Sequence, residues 1–367
     1  MALFTAESHS GSDRPRRGSR TGWVVLGIAL VTGLALAVVP APYVVEKPGP
    51  VFNTLGSAEY EGEETDLITI PDQTVYPTEG TLDLLTVSVL GNPDSRLNWL
   101  TVAGAWLDPS QAVVPLESVF PADVTTEQRD EQNQAAMVNS QRDSIAAALT
   151  SLGYDYPTEL TVASLADGAP AEGLIEADDV IESVNGEAVA DITALRGALT
   201  ANGADTPATI GLSRGGTEQS VDVTPVDIDG NVVLGINVTS EYQFPFDVNI
   251  QLDKVGGPSA GMMFALGIID KLTPGSIQGG AKVAGTGTID QSGTVGPIGG
   301  IRQKLFGAQE AGAKWFLAPT ANCDEVTGHV PDGLTVLAVN TLDDSLAALD
   351  AIRTGADTST LPTCPAS

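Results

Sequence analysis

Eight consecutive residues, Met262 to Ile269, carry no charged or strongly polar side chain, so a helix through them is apolar on every face and has to be buried on all sides. The chain must therefore build a core around that segment. At 367 residues, 42% apolar and 17% charged, it has enough material to do so and to divide into two folded domains. Disorder throughout is excluded.

Lys and Arg number 17 against 47 Asp and Glu, a net charge of -30, which leaves no positive field to hold a phosphate backbone and excludes nucleic acid as a partner. His9 and His329 are the two histidines, Cys323 and Cys364 the two cysteines. A metal centre or a Cys/His catalytic pair would need nearly all of them across wide spacings, so neither a metal nor another cofactor is expected. Of the six lysines, Lys254, Lys271, Lys282, Lys304 and Lys314 crowd into the stretch that holds the apolar segment, and Lys47 stands apart.

Near the N-terminus, Arg14, Arg16, Arg17 and Arg20 precede an uncharged run from Trp23 to Val39. At about 1.5 Å per residue the stretch through Val45 is long enough to cross a hydrocarbon core of roughly 30 Å, and the arginines favour a cytoplasmic N-terminus. This predicts a single-pass protein of the cell membrane with its folded part extracytoplasmic. Ala35-Leu36-Ala37 also fits a signal-peptide cleavage site, and in either case the folded part is exported. An oxidising compartment allows Cys323 and Cys364 to pair and tie down the C-terminal tail.

Between Leu67 and Val119, short β-rich runs such as Leu84 to Leu90 and Leu97 to Ala105 are broken by Pro and Gly and read as strands. A polar stretch from Thr125 leads into a helix with Met137, Gln141, Ile145, Ala148 and Leu149 on one stripe, ended at Gly153. A strand (Leu160 to Leu165), the turn Asp167-Gly168-Ala169-Pro170, a helix (Ile192 to Thr200) and two strands (Thr209 to Ser213, Ser220 to Val226) follow. Val248, Ile250 and Leu252 then alternate as a strand before Gly256-Gly257-Pro258-Ser259-Ala260-Gly261.

Ser259 stands where the apolar helix begins, and the unpaired amides and roughly +0.5 of partial charge there favour an alkoxide or oxyanion. Gly257, Pro258, Ala260 and Gly261 form the turn around it and are expected to hold the oxyanion. Taken alone, Ser259 reads as a helix cap. Downstream, Ile301, Lys304, Leu305, Ala308 and Ala311 recur at helical spacing, so Lys304 sits in an apolar stripe while Arg302, Gln303, Gln309 and Glu310 take the other side. Taken alone, that lysine reads as a stem on the core with its ammonium in water. Together the two make a chemical pair. A serine needs a base to take its proton, and with no available histidine a neutral lysine is the candidate. Its pKa would have to fall from about 10.4 by roughly 3 units, a shift that burial can supply.

The run VASLADGAPAEGLIEADDVIESVNGEAV closely resembles a bacterial PDZ domain. The resemblance implies a small β-barrel-like sheet with helices that takes an extended peptide as an added strand. It implies a groove between Thr161, Val162 and Ala163 on one side and the helix bearing Leu195 on the other. A carboxylate-binding loop would fall at Ser151-Leu152-Gly153-Tyr154. A domain that only packs on its neighbour is the other reading.

GGPSAG around Ser259 and GTVGPIGGIRQKLFGAQEAGAKWFLAP around Lys304 resemble the nucleophile and lysine motifs of Lon-type proteolytic domains, and GTLDLLTVSVL resembles their early part. VEKPGPVFNTLG is similar to the membrane-anchored Lon-like proteases with a PDZ domain found in Gram-positive bacteria. The resemblance implies an α+β protein with a cytoplasmic tail (1–22), an anchor (23–45) and the start of the Lon-like domain (46–150). A PDZ domain (151–228), the rest of the proteolytic domain (229–353) and a tail (354–367) follow. It also implies a Ser-Lys dyad of Ser259 and Lys304 that hydrolyses peptide bonds, with Thr286 of AGTGTI orienting the lysine, and a homo-oligomer, commonly a hexamer. Many Lon enzymes carry an acidic residue where this chain has Gly256. No GxxxxGK[ST] loop occurs in the sequence, so the expected activity is that of an ATP-independent endopeptidase acting on unfolded or extended protein substrates. The alternative is a membrane-tethered PDZ adaptor whose Lon-like domain is a scaffold.

Overall fold

The computed structural model describes residues 20–60, 62–121, 124–166, 168–228, 230–252 and 255–364; the arginine-rich segment before residue 20, Asp167 and Asp253 lie outside the described residues. In chain order the first elements are α1 (Arg20–Val38), β1 (Tyr43–Asn53), β2 (Thr81–Leu90), α2 (Trp99–Ala105), β3 (Ala112–Pro115) and α3 (Thr126–Ser151). Then come β4 (Thr158–Leu165), β5 (Val180–Val184), α4 (Ile192–Asn202), β6 (Ala208–Arg214), β7 (Thr217–Val223) and β8 (Ile236–Tyr242). The chain continues through α5 (Gly261–Leu272), β9 (Lys282–Gly285), β10 (Thr288–Ile289), α6 (Ile301–Glu310), β11 (Trp315–Pro319), β12 (Thr335–Val339) and α7 (Leu342–Thr354).

One compact unit comprises Met1–Glu46 and Val89–Ala122. Its helix α1 ends at Val38, because Pro40 cannot continue it, and the chain is already a strand at Tyr43. The unbroken span expected through Val45 is therefore not formed, and among the described residues no helix is long and apolar enough to cross a membrane. Trp23, Ile28, Val31 and Leu34 of α1 are exposed. The strand expected at Leu97 to Ala105 is instead helix α2. Asn98 caps it by accepting from the Thr101 amide at 2.9 Å, and Val102 and Ala105, one turn apart, are buried. Tyr43 to Glu46 pair antiparallel with β3 over Val44, Leu116 and Phe120.

The second unit, Lys47–Ser88 and Asp123–Ser367, is built on two large sheets, with short two-stranded ones beside them. In the first, the strand order is β12-β11-β9-β2-β1, and β2, β9, β11 and β12 run parallel. Its central strands are buried on both faces, as parallel strands require. Alternate residues of β9 face opposite ways: Val283 joins the core of α3, α5 and α7, and Ala284 joins the core of α6. Helix α5 is buried from Gly261 to Lys271, the environment that its apolar run demanded. Helix α3 starts from a capping box of Thr125 and Gln128 and lays Met137, Ser140, Ser144 and Ile145 into the core beside α5.

The second sheet is inserted between α3 and α5, with the order β7-β6-β5-β4-β8. Leu160, Val162, Ile181, Leu195, Leu212 and Leu234 form its own core. It extends past residue 228, because β8 pairs along the whole length of β4. Cys323 and Cys364 are joined in a disulfide.

Candidate active site

The chain enters α5 through a turn held from behind by α3. Gly257 has φ +86°, a left-handed conformation that favours glycine, and its amide donates to the Asn133 carbonyl at 2.8 Å. Ser140 Oγ donates to the Pro258 carbonyl at 3.0 Å, and Ser144 Oγ donates to the Gly261 carbonyl at 2.9 Å. Gly261 is a glycine for want of space, since a Cβ there would lie 2.8 Å from Ser140 Oγ and 3.2 Å from the Ile289 nitrogen. Ser259 comes two residues ahead of the helix, whose N-cap is Ala260.

Lys304 arrives from the opposite face of the parallel sheet. It lies in the buried stripe of α6 with Ile301, Leu305 and Ala308, and is 2% exposed. Gln303, expected on the outer side, is buried as well, because α6 is covered over more than one stripe. Thr286 immediately follows β9, so the three side chains meet at the carboxyl end of a parallel strand, where such sheets commonly open their sites. Lys304 Nζ stands 2.8 Å from Ser259 Oγ and 2.9 Å from Thr286 Oγ1.

Burial pulls the Lys304 pKa down from 10.5 to about 7, and no neighbouring charge among the described residues offsets it. The hydrogen bonds also set a direction. Thr286 spends its hydroxyl proton on the Ser259 carbonyl, 2.9 Å away, so its oxygen has only lone pairs to offer and the amine must donate to it. In the neutral amine this leaves the lone pair free for the Ser259 hydroxyl. The arrangement can move a proton from serine to lysine.

The turn residues expected to hold an oxyanion divide. Gly257 spends its amide on Asn133, Gly261 donates to the Pro258 carbonyl at 3.3 Å, and Pro258 has no N–H. Met262 donates to the Gly287 carbonyl at 3.0 Å. Among the described residues this leaves the amides of Ser259 and Ala260 without a backbone acceptor, whereas Gly257 and Gly261 each have one. A cavity of about 1020 Å³ opens at Ser259, with apolar walls that include Phe52, Leu84, Val87, Met137 and Val255.

The expected peptide groove is not where the sequence placed it. Thr161, Val162 and Ala163 lie on β4, which is paired with β8 on one edge and with β5 on the other, so no added strand can reach it. Leu152 and Gly153 follow the end of α3, Leu152 packs into the catalytic-side core, and Tyr154 stacks edge-on against Phe246. β8, which lay beyond the expected domain boundary, took the edge. It is now the outer strand beside α4, which carries Leu195.

Asn133 and Ser140 escaped the sequence reading. The available signal was Ser140 and Ser144, two hydroxyls four residues apart within an otherwise apolar stripe of α3.

Comparison with known proteins follows the same division. Residues 252–351 match the Lon protease (S16) C-terminal proteolytic domain, and residues 128–224 match a PDZ domain. A Lon proteolytic domain and a PDZ domain are both found in this chain. The Lon protease of Lachnoclostridium phytofermentans is 34% identical over 116 residues, covering 30% of this chain and 14% of that protein. Lon protease 1 of Sorangium cellulosum is 39% identical over 94 residues, covering 25% and 11%. The matched region thus spans about a seventh or less of these relatives' length. The PDZ domain of the SdrC-like protein of Listeria monocytogenes is 21% identical with a TM-score of 0.21, covering 22% of this chain and 85% of that one. Homology to the Lon proteolytic domain supports a serine protease at the level of the family. The Lon-type match begins at Leu252, after the inserted sheet, whereas α3, which the PDZ match overlaps, packs on α5 of the proteolytic part.

Proposed function

We propose that this chain is an ATP-independent serine endopeptidase in which Ser259 is the nucleophile and Lys304 the general base and acid. The observation that carries this reading is a buried amine, without a compensating charge among the described residues, 2.8 Å from a serine hydroxyl. Neutral Lys304 takes the Ser259 proton as Oγ bonds to the scissile carbonyl carbon. The amides of Ser259 and Ala260 hold the oxyanion. The lysine ammonium then protonates the departing amine, and water, deprotonated by the same lysine, releases the acyl group. Thr286 holds Lys304 in line by accepting one of its N–H groups.

In this reading an extended segment of substrate or partner adds as a strand to the open edge of β8 beside α4. We place the protein at the cell membrane through its apolar N-terminal segment, with the N-terminus cytoplasmic and the catalytic part extracytoplasmic. The exposed apolar side chains of α1 and the Cys323–Cys364 disulfide support that placement.

Ser259→Ala tests the reading. Cleavage of casein and of short fluorogenic peptides by the purified chain should fall by about 10³-fold or more. Cleavage that persists unchanged would instead describe a peptide-binding adaptor with a scaffold Lon-like domain.

A further inference from the structure

A trans peptide unit is planar and carries its C=O and its N–H on opposite sides. Whatever grips the carbonyl of one residue therefore aims the amide of the next. Two such planes matter at the nucleophile, one joining the Pro258 carbonyl to the Ser259 amide and one joining the Ser259 carbonyl to the Ala260 amide. The second is held by Thr286 Oγ1 and by the Gly287 amide, each 2.9 Å from the Ser259 carbonyl. The first is held by Ser140 Oγ at 3.0 Å, with a longer contact from the Gly261 amide at 3.3 Å.

Ser140 is well placed to act as a fixed point. It is 3% exposed, and Gly261 packs so closely that a Cβ would lie 2.8 Å from its oxygen. A serine inside a helix ordinarily satisfies its hydroxyl on the carbonyl one turn back, and Ser144 Oγ has the Ser140 carbonyl within reach there as well as that of Gly261. Ser140 instead reaches a carbonyl 118 positions away in sequence. Its bond draws the Pro258 carbonyl toward α3 and turns the Ser259 amide away from that helix, with no backbone acceptor to receive it among the described residues.

We propose that Ser140 is a positioning residue that, by holding the Pro258 carbonyl, aims the Ser259 amide at the oxyanion of the tetrahedral intermediate. The proposal rests on Ser259 being the nucleophile. It separates Ser140 from Ser144, whose one hydroxyl proton is shared between the Ser140 and Gly261 carbonyls. The plane of the Gly261 carbonyl carries the Met262 amide, which is already bound to the Gly287 carbonyl.

The test compares Ser140→Ala with Ser144→Ala in peptide hydrolysis and in binding of a peptide aldehyde, whose hemiacetal oxygen occupies the oxyanion position. Ser140→Ala should lower kcat about tenfold to a hundredfold, leave KM within about twofold, and weaken the aldehyde by the same factor as kcat/KM. The pH midpoint should stay in place, because the lysine is untouched. Ser144→Ala should lower Tm while kcat and aldehyde affinity hold. A Ser140→Ala enzyme with normal kcat, or an equal loss of kcat in both variants, overturns the assignment. Activity retained by Ser259→Ala would defeat the nucleophile reading itself, an outcome read independently of either α3 variant.

Discussion

Helix α5 has a buried lysine near each end, and the two sites differ in what the amine meets. Beyond its N-terminal end, Lys304 meets two hydroxyls, Ser259 and Thr286. In its last turn, Lys271, 8% exposed, faces the Asp66 carboxylate at 3.4 Å. Removing an ammonium from water is costly in either place. At Lys271 a carboxylate offsets part of that cost and the result is an ion pair. At Lys304 no neighbouring charge among the described residues does so, and release of the proton relieves the cost. A buried lysine is pushed toward its neutral form where its partners are dipoles and forms an ion pair where one is a carboxylate.

The hardest blow to this contrast is Lys304→Arg. A guanidinium stays charged at any useful pH, so activity should fall by about 10³-fold or more, as far as in Lys304→Ala; an active Arg variant would remove the lysine from the chemistry. A smaller effect comes from pH. The neutral amine is the working form, and its fraction grows as pH rises through the lowered pKa, so kcat/KM should climb about tenfold per unit below about 7 and level off above it. A midpoint near the ordinary lysine value would mean that the charge at Lys304 is compensated after all. The smallest effect belongs to the other end of the helix: Lys271→Met should leave kcat/KM within about twofold of wild type with the same pH midpoint, since Asp66 is largely exposed and can turn to water. A hundredfold loss there would erase the distinction between the two lysines.

Much of the site was legible because its signals are local. The helical recurrence of Ile301, Lys304, Leu305 and Ala308 announced a buried lysine, and the all-apolar run after Ser259 announced a buried helix. Trp99–Ala105 was misread as a strand because its β-rich composition outweighed the Asn98 cap, which stabilises a helix through one side-chain bond. The residues expected to line a peptide groove proved to lie on a strand paired at both edges, because Thr161 to Ala163 have the pattern of a half-buried strand whether their outer edge is open or paired. Pairing with β8, some 75 residues onward, decided the matter. Which amides beside Ser259 keep a backbone acceptor was hidden for a related reason. Gly257, Ala260 and Gly261 look alike in sequence as amides near a helix start, and two of those amides are spent on carbonyls, one of them across to α3.

By itself the sequence determined that α3, α5 and α6 are helices, that α5 must be buried, and which hydroxyl and which amine were chemically suited to each other. Such properties follow from the period and polarity of neighbouring residues. Tertiary structure alone decided that Ser259 and Lys304, carried on opposite faces of one sheet, come within hydrogen-bonding reach, that Ser140 grips a peptide plane 118 positions away, and that β8 keeps the open edge. Those outcomes depend on which backbone groups remain unpaired after packing, and the balance of hydrogen bonds across distant segments is settled only when the whole chain has folded.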